Sequence, residues 1–179
     1  MPDFDSANVL VGLGKISVDG TSLGYTSGGV VIALTTDRVD KEVDQSFSPI
    51  GILKVRESYE IRTSLAEATL ENLKIVWEQT ATIVAGGAAV GEIPNRTLDW
   101  GVNQGIVEHT LEFLGNSPEG FVRRFNVNRA VVFAVGETNH VRDGITLIPV
   151  TFRILPDVSL AIDKQYGSIE DETTDIPNP

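Results

Sequence analysis

The chain has 179 residues and a formal net charge of −11, from 25 acidic and 14 basic residues, and it contains no cysteine. Its length predicts one domain with a sizeable core, and the lack of cysteine excludes disulfides and thiolate metal sites. The negative charge argues against nucleic-acid binding through a basic surface. The start of the chain is acidic up to Lys15, which is not typical of a secretory signal. No apolar run is long enough to span a bilayer, so we expect a cytoplasmic protein without membrane contact.

The first residues are predicted to form a polar arm, residues 1–8, whose one large apolar group is Phe4. A lone aromatic residue on such an arm is either incidental or an anchor on a neighbouring subunit. A strand is predicted over Val9–Val18. It is followed by Asp19-Gly20, a dipeptide typical of a two-residue hairpin turn.

A long charged segment follows the next predicted strand. Gly28-Gly29 is predicted to turn into this strand, Val30–Thr35, and residues 36–50 then form a charged hairpin loop. A connection of this length inside a compact domain is often functional. Its acidic residues suggest calcium, but the Asp-x-Asp-x-Asp-Gly spacing is missing and basic residues interrupt the cluster. We therefore expect a solvated or partner-facing hairpin rather than a metal loop.

The period of the apolar residues changes after this loop. Alternating apolar positions over Leu53–Ile61 predict a half-buried antiparallel strand. The spacing then becomes helical, and Ser64 with Glu67 has the pattern of a capping box. We expect one flanking helix at about residues 65–79. It must lie against a sheet, because the chain offers no second helix to cover its apolar stripe.

The second half of the chain is predicted to contain further strands. They are expected at 105–114, 121–135 and 145–155. Residues 81–91 are small, apolar and glycine-rich, and they fit either a strand or a packed loop. His109 lies on an apolar strand face and is interpreted as a hydrogen-bonded, half-buried histidine rather than a base or ligand. After Pro156 the pattern fades into an acidic extension, residues 156–179.

Two groups of polar residues mark the predicted strands. The basic group is Arg123, Arg124 and Arg129. It pairs either with acidic residues on neighbouring strands or with an acidic surface of another subunit. The second group is Glu108, Thr110 and Glu112, which share one strand face because side chains alternate along a strand.

Motifs for catalysis are lacking. The sequence has no Gly-x-Ser-x-Gly and no His-Glu-x-x-His. Gly12-Leu13-Gly14-Lys15 has part of a phosphate loop, but the earlier glycine position holds Val9 and no helix follows. We therefore predict that the protein is not an enzyme and has no cofactor or metal.

The order of these features resembles a known family. A glycine-punctuated strand ends at Asp19-Gly20, a charged hairpin carries Asp44-Gln45-Ser46, and a strand leads to Ala66-Glu67-Ala68-Thr69-Leu70-Glu71-Asn72-Leu73. Over residues 9–155 the chain resembles the tail tube (major tail) proteins of long-tailed bacteriophages. The most specific part of this resemblance is the hairpin and the helix that follows it.

This resemblance implies a fold, an assembly and a location. The fold is a two-sheet β-sandwich or barrel flanked by one helix, as in contractile-tail and type VI secretion tubes. Copies of the chain form rings, typically hexameric, that stack into a hollow tube in the virion tail after assembly in the host bacterial cytoplasm. The partners are the chain itself and other tail proteins at the tube ends. DNA passes through the bore into the host without specific binding.

The chain divides into three parts, of which the resemblance covers the middle one. Residues 1–8 are the N-terminal arm, 9–155 the tube domain and 156–179 the acidic extension. The hairpin and the termini exceed what the domain needs, so we expect contacts with the next ring or subunit. The expected contact residues are Phe4, Asp37, Arg38, Asp40, Lys41, Glu42, Asp44, Phe47, Pro49 and Ile50. Glu108, Thr110 and Glu112 are candidates for the bore lining; an acidic outer surface that gives solubility is the other interpretation of that face.

Two other functions remain open from the sequence. One is the tube of a contractile injection machine, which would need an outer surface that matches a sheath. The other is a monomeric β-sandwich module that binds a ligand or decorates a capsid. Such a module usually exposes aromatic residues on one face, whereas most aromatics here are in phase with core positions.

Overall fold

The computed structural model describes residues 14–86, 95–102, 105–117, 121–138 and 144–171. The strands are β1 (Lys15–Val18), β2 (Thr21–Ser22), β3 (Thr26–Lys41), β4 (Gly51–Leu65), β5 (Val84–Ala85), β6 (Arg96–Thr97), β7 (Glu108–Asn116), β8 (Val122–Val135), β9 (Ile148–Ile154) and β10 (Gly167–Asp171). One α-helix, α1 (Leu70–Val76), and one short 3₁₀ turn (Ile162–Lys164) complete the described elements.

One large antiparallel sheet dominates the fold. Its strand order is β2-β1-β7-β8-β9-β4-β3, and β10 pairs with the first half of β8. Strands β5 and β6 form a second, two-stranded sheet. The predicted fold class, mainly β with a single flanking helix, is therefore confirmed.

The core lies on one face of the large sheet. Strand β9 shows this directly, because its residues alternate between buried and half-buried positions along its whole length, as the predicted period of two requires. The largest fully buried side chains are Phe152, Ile16, Leu23, Ile61, Leu65, Ile148, Val18 and Val76. The helix contributes Val76 to this cluster, so its apolar side packs against the sheet as expected.

The helix is shorter than predicted and begins later. Its N-cap is Thr69, whose side-chain oxygen accepts a hydrogen bond from the backbone N–H of Asn72 at 3.2 Å. The predicted capping box is wrong, because Ser64 lies inside β4. The carboxylate of Glu67 accepts instead from the backbone N–H of Tyr25 at 3.0 Å. The burial of Leu65 between β3 and β9 outweighs the local capping pattern.

The two glycine-containing turn signals have different outcomes. Asp19 (φ 50°) and Gly20 (φ 77°) form the predicted two-residue hairpin loop between Val18 and Thr21, and both left-handed φ values suit this turn. The predicted turn at Gly28-Gly29 is wrong. These glycines form a bulge inside β3, where the register with β4 shifts.

The C-terminal segment joins the sheet, although its sequence pattern fades after Pro156. Strand β10 pairs with β8 over five residues, from Gly167 opposite Val127 to Asp171 opposite Arg123. The carboxylate of Asp171 accepts two hydrogen bonds from the Arg123 guanidinium, at 2.6 and 2.7 Å. This segment therefore continues the edge of β8 that β9 covers farther along.

Candidate assembly surface

The hairpin of β3 and β4 extends well beyond the rest of the sheet. Strand β9 pairs with β4 over Tyr59–Leu65, and in the described part of the chain the rest of β4 has β3 as its one strand partner. We call the extending part, residues 35–58, the arm. In it β3 and β4 pair with each other, and the loop between them covers residues 42–50. Residues 36–41, which were predicted as part of the loop, are strand.

Strand β3 is also an edge of the sheet. It ends the strand order, so among the described residues its second edge has no strand partner over Thr26–Lys41. Such an edge presents a row of backbone N–H and C=O groups that can pair with another chain. A 16-residue edge is long for a protein that remains a monomer, because natural edge strands are usually short or protected.

The arm exposes large apolar side chains in unusual number. More than half of the surface of each is accessible, and Phe47 is fully exposed. The set is Val39, Phe47, Ile50, Ile52, Leu53 and Val55. Contiguous exposed apolar patches on soluble proteins mark interaction sites or aggregation risks, so the arm is the main candidate contact surface.

A bulge on β4 spreads these residues over both faces of the arm. Asp37 pairs with Arg56, but the next pair joins Arg38 to Lys54, so Val55 is the extra residue. Because paired residues share a face and neighbours alternate, Leu53 lies opposite Val39, on the other face from Tyr59. The predicted regular alternation from Leu53 to Ile61 is therefore wrong at this bulge.

The loop at the end of the arm has internal hydrogen bonds. The backbone N–H of Ser46 donates to the Val43 carbonyl at 3.1 Å, and that of Ile50 donates to the Lys41 carbonyl at 2.8 Å. The Ser46 hydroxyl donates to the Ser48 carbonyl at 2.8 Å. These bonds close the turn on its own backbone and leave Phe47 pointing away from it.

Nine of the ten predicted contact residues lie in described parts of the chain, and all nine are exposed. They are Asp37, Arg38, Asp40, Lys41, Glu42, Asp44, Phe47, Pro49 and Ile50. Phe4 and the rest of the predicted N-terminal arm, residues 1–8, lie outside the described residues. The structure thus brings the nine predicted residues together on one extension, and their contact with another copy stays a prediction.

The predicted bore-lining residues are engaged in contacts within the chain. Glu108 accepts hydrogen bonds from Arg129 at 2.6 and 2.9 Å, and this contact lowers the pKa of Glu108 and raises that of Arg129. Glu112 accepts from Arg124 at 2.6 Å. Together with the Arg123 pair on β10, these contacts confirm that the basic group pairs with acidic residues of its own chain.

Thr110 and His109 link β7 to the first hairpin. The carboxylate of Asp19 lies 2.7 Å from Nδ1 of His109 and accepts from the backbone N–H of Thr110 at 2.8 Å. Burial raises the pKa of Asp19, but the hydrogen bonds from His109 and Thr110 outweigh it and the net shift is downward. The predicted hydrogen bond of His109 is confirmed, but the side chain is buried, with 7% of its surface exposed, rather than half-buried as predicted.

Sequence reasoning missed two features that shape this surface. The bulge at Val55 has no signal in the sequence, because the apolar alternation runs through it. The joining of β10 to β8 depends on contacts far apart in the chain, and the weak alternation around Ile169 gave too little signal.

The described residues were also compared with the requirements of a metal site and of a membrane-spanning helix. Among the described residues no group of three or more His, Cys, Asp or Glu side chains could hold a metal ion. In the same part of the chain no helix has the length and apolar character to cross a membrane. Comparison with models of known protein families gives no match, and comparison with curated proteins gives none.

Proposed function

We propose that the protein is a self-assembling structural subunit of a bacteriophage tail tube. Copies form rings, typically of six, and the rings stack into a hollow tube that conducts DNA from the capsid into the host. The observation that carries this proposal is the arm, whose apolar side chains are exposed on both faces beside a free strand edge. The resemblance of the hairpin and the following helix to tail tube proteins supports the same function.

The physical argument starts from the cost of the arm to a single copy. Ordering each backbone residue costs about 1–2 kcal/mol, and burial of apolar surface is the main term that offsets this cost. In the arm the described residues bury little apolar surface, so a lone copy gains little from ordering it. A second copy that covers the arm supplies the missing burial.

Repetition of such a contact leads to an open or closed assembly. The arm is a different surface from the body that would receive it, so the contact is heterologous. Heterologous contacts give rings where the rotation closes and filaments where it does not. A closed ring also pairs or covers the free edge of β3, which removes an aggregation risk.

The charge of the chain fits passage of DNA without binding. Each copy carries a net charge of −11, and a surface of like sign repels phosphate. We propose the β7 face of Glu108, Thr110 and Glu112 as part of the bore. Since both acids on it pair with arginines, this face is close to neutral and polar, and the repulsion comes from the rest of the acidic surface.

The decisive experiment removes the end of the arm and follows assembly. Asp37 and Arg56 are paired across the two strands, so residues 38–55 can be replaced by Asn-Gly, which closes a two-residue hairpin. The wild-type protein is expected to form rings or tubes in negative-stain electron microscopy and sedimentation. The shortened variant is expected to remain a folded monomer, because it lacks the contact surface.

A matched control separates arm effects from general changes in surface hydrophobicity. Val84 is an exposed apolar residue on β5, outside the arm, and Val84→Ser should assemble like the wild type. The proposal is wrong if the wild-type protein stays monomeric at high concentration, or if the shortened variant still forms normal tubes.

A further inference from the structure

An open apolar groove lies where the arm joins the body. It has a volume of about 260 Å³ and lies between β3 and β4 on one side and β10 with the preceding turn on the other. The side chains that define it are Ile32, Tyr59, Phe125, Ile162, Tyr166 and Ile169. We call it the root groove.

The walls of the root groove are suited to an aromatic side chain. Tyr59 and Tyr166 form one wall, with ring centroids 4.8 Å apart and a tilt of 55°. Ile162 and Ile169 form an exposed rim, with 89% and 66% of their surfaces accessible. Aromatic rings favour such tilted and offset contacts at centroid distances of 4.5–7 Å. A third ring can therefore pack against this wall, and a phenylalanine ring, which has no polar atom, needs no hydrogen-bond partner there.

The loop at the end of the arm carries a side chain of matching chemistry. Phe47 is fully exposed, and it lies between Ser46 and Ser48, which are joined by two hydrogen bonds in the loop. No other aromatic side chain lies in the loop, residues 42–50. The chain therefore has an exposed aromatic group at one end of the arm and an open apolar groove at the other.

The arm cannot place its own Phe47 in its own root groove. Tyr59, at the groove, lies eight positions after Gly51, where β4 begins, and a strand rises about 3.3 Å per residue. The paired strands thus hold the loop on the order of 25 Å from the groove. If an arm occupies the root groove, it must therefore come from another molecule.

We propose that the root groove binds Phe47 from the arm of a second copy of this chain. The proposal rests on the proposed function and deepens it, since it names the receiving site for the arm. Donor and acceptor are different surfaces of one chain, so each copy can give one arm and receive another. The contact therefore repeats from copy to copy without closing a symmetric dimer.

Phe47 alone buries too little surface to form a stable interface between two copies. A specific interface buries about 800 Å² on each partner, whereas one aromatic side chain buries about 150–250 Å². Phe47 is thus an anchor, and the other exposed apolar residues of the arm must cover the neighbour on the way to the groove. Residues of this kind, buried at the centre of a pocket, carry a large share of binding energy.

The absence of cysteine from the chain allows a direct test by disulfide cross-linking. Ser48 is exposed next to Phe47, so Ser48→Cys places a thiol beside the ring and keeps the ring itself. Ser48→Cys and Ile162→Cys are made in separate full-length chains, which are mixed, allowed to assemble and treated with a mild oxidant. The mixture is expected to give the 48–162 cross-link at least tenfold more efficiently than Ser48→Cys mixed with Val84→Cys, an exposed position outside the groove. Mass spectrometry of peptides identifies the joined residues.

A second reporter guards against misfolding of one variant. Ile169→Cys is a second exposed position that lines the groove, and it should also cross-link to Ser48→Cys above the Val84→Cys control. Cross-links at the control level from both rim positions would overturn the inference.

The outcomes separate this inference from the proposed function. If rings or tubes form but neither rim position cross-links above the control, the receiving site is wrong and the tube function stands. If cross-links form strongly in dimers or short chains that never become tubes, the receiving site is supported and the tube function is wrong. A protein that stays monomeric and gives no cross-links overturns both.

Discussion

The body of the sheet and the arm differ in how far they bury their apolar residues. In the body, β9 buries every second residue, and the charged groups of β7 and β8 form ion pairs within the chain. In the arm, apolar side chains are exposed on both faces of a two-stranded ribbon. Strand β4 has 15 residues, whereas its neighbour β9 has seven. The excess length of β4 therefore serves no need of the chain's own core.

The difference between the body and the arm indicates which region contributes most to the folding free energy of a single copy. The body has a buried core of its own and pairs the charged groups of β7 and β8 within one copy. The arm forms the β3–β4 ladder, but among the described residues it leaves the outer edge of β3 and its apolar surface for a partner. Stability of the single chain and assembly of many copies should therefore respond to different substitutions.

The largest effect on stability is expected from the contrast between two phenylalanines. Phe152 is fully buried in the centre of β9, and Phe47 is fully exposed on the arm. Phe152→Ala should lower the free energy of unfolding by about 3–5 kcal/mol, because it leaves a cavity in the core. Phe47→Ala should change it by less than about 0.5 kcal/mol. Urea denaturation of the dilute, monomeric protein measures both values.

The same two variants also test whether the arm is independent of the core in a single copy. Phe47→Ala should reduce assembly despite its unchanged stability. An unfolding effect of Phe47→Ala as large as that of Phe152→Ala would mean that the arm folds back onto its own body in solution.

A smaller effect is expected from the polar link inside the body. The pKa of Asp19 in the folded chain lies below its ordinary value of 3.8, so folding favours the ionised carboxylate. Its stabilising contribution is complete above the unfolded-state pKa and is lost as the pH falls through the folded-state pKa. Asp19→Asn should therefore lose less stability than the wild type as the pH falls below about 4, measured by denaturation at a series of pH values.

Thr110→Val is the matched control for this prediction. It removes the hydroxyl that donates to Asp19 at 3.2 Å but keeps the carboxylate and its partner His109. This variant should keep the acid-induced loss of stability. Equal pH dependence in Asp19→Asn and the wild type would show that the link does not contribute.

The smallest effect is expected from the proposed bore face. Reversal of Glu108 and Glu112 to lysine removes their pairing with Arg129 and Arg124 and makes the face basic. Assembly should remain, whereas DNA should adhere to the assembled protein in a mobility-shift assay and genome delivery should slow. Asp99→Lys with Glu137→Lys gives the same change in net charge on other segments. Equal DNA adhesion in both double variants would place the β7 face outside the bore.

Much of the body was predictable because its signals are local and periodic. The alternation in β9 predicted the buried positions of Ile148, Val150, Phe152 and Ile154, and the Asp19-Gly20 pair predicted its turn from backbone preference alone. The hydrogen bond of His109 was predicted from its place on an apolar face, although the side chain is more deeply buried than predicted. The exposure of the nine contact residues followed from the polarity of the 36–50 segment. Their role in assembly remains a prediction.

The features that failed prediction depend on contacts between distant parts of the chain. The capping pattern of Ser64 and Glu67 gave way to the burial of Leu65 in the sheet, and the Gly28-Gly29 turn became a bulge because β3 continues along β4. The residue pattern near Val55 is regular, so only pairing with β3 reveals the bulge.

The sequence by itself determined the mainly β class, the strand faces of the body and the acidic character of the molecule. These follow from side-chain period and composition, which act over a few residues. Tertiary structure decided where the helix begins, which strands leave an edge open, and that Tyr166 and Ile169 meet Tyr59 in a groove. These depend on contacts between distant parts of the chain, such as Leu65 with Ile148 and Tyr59 with Tyr166, where burial and ladder hydrogen bonds outweigh local preference.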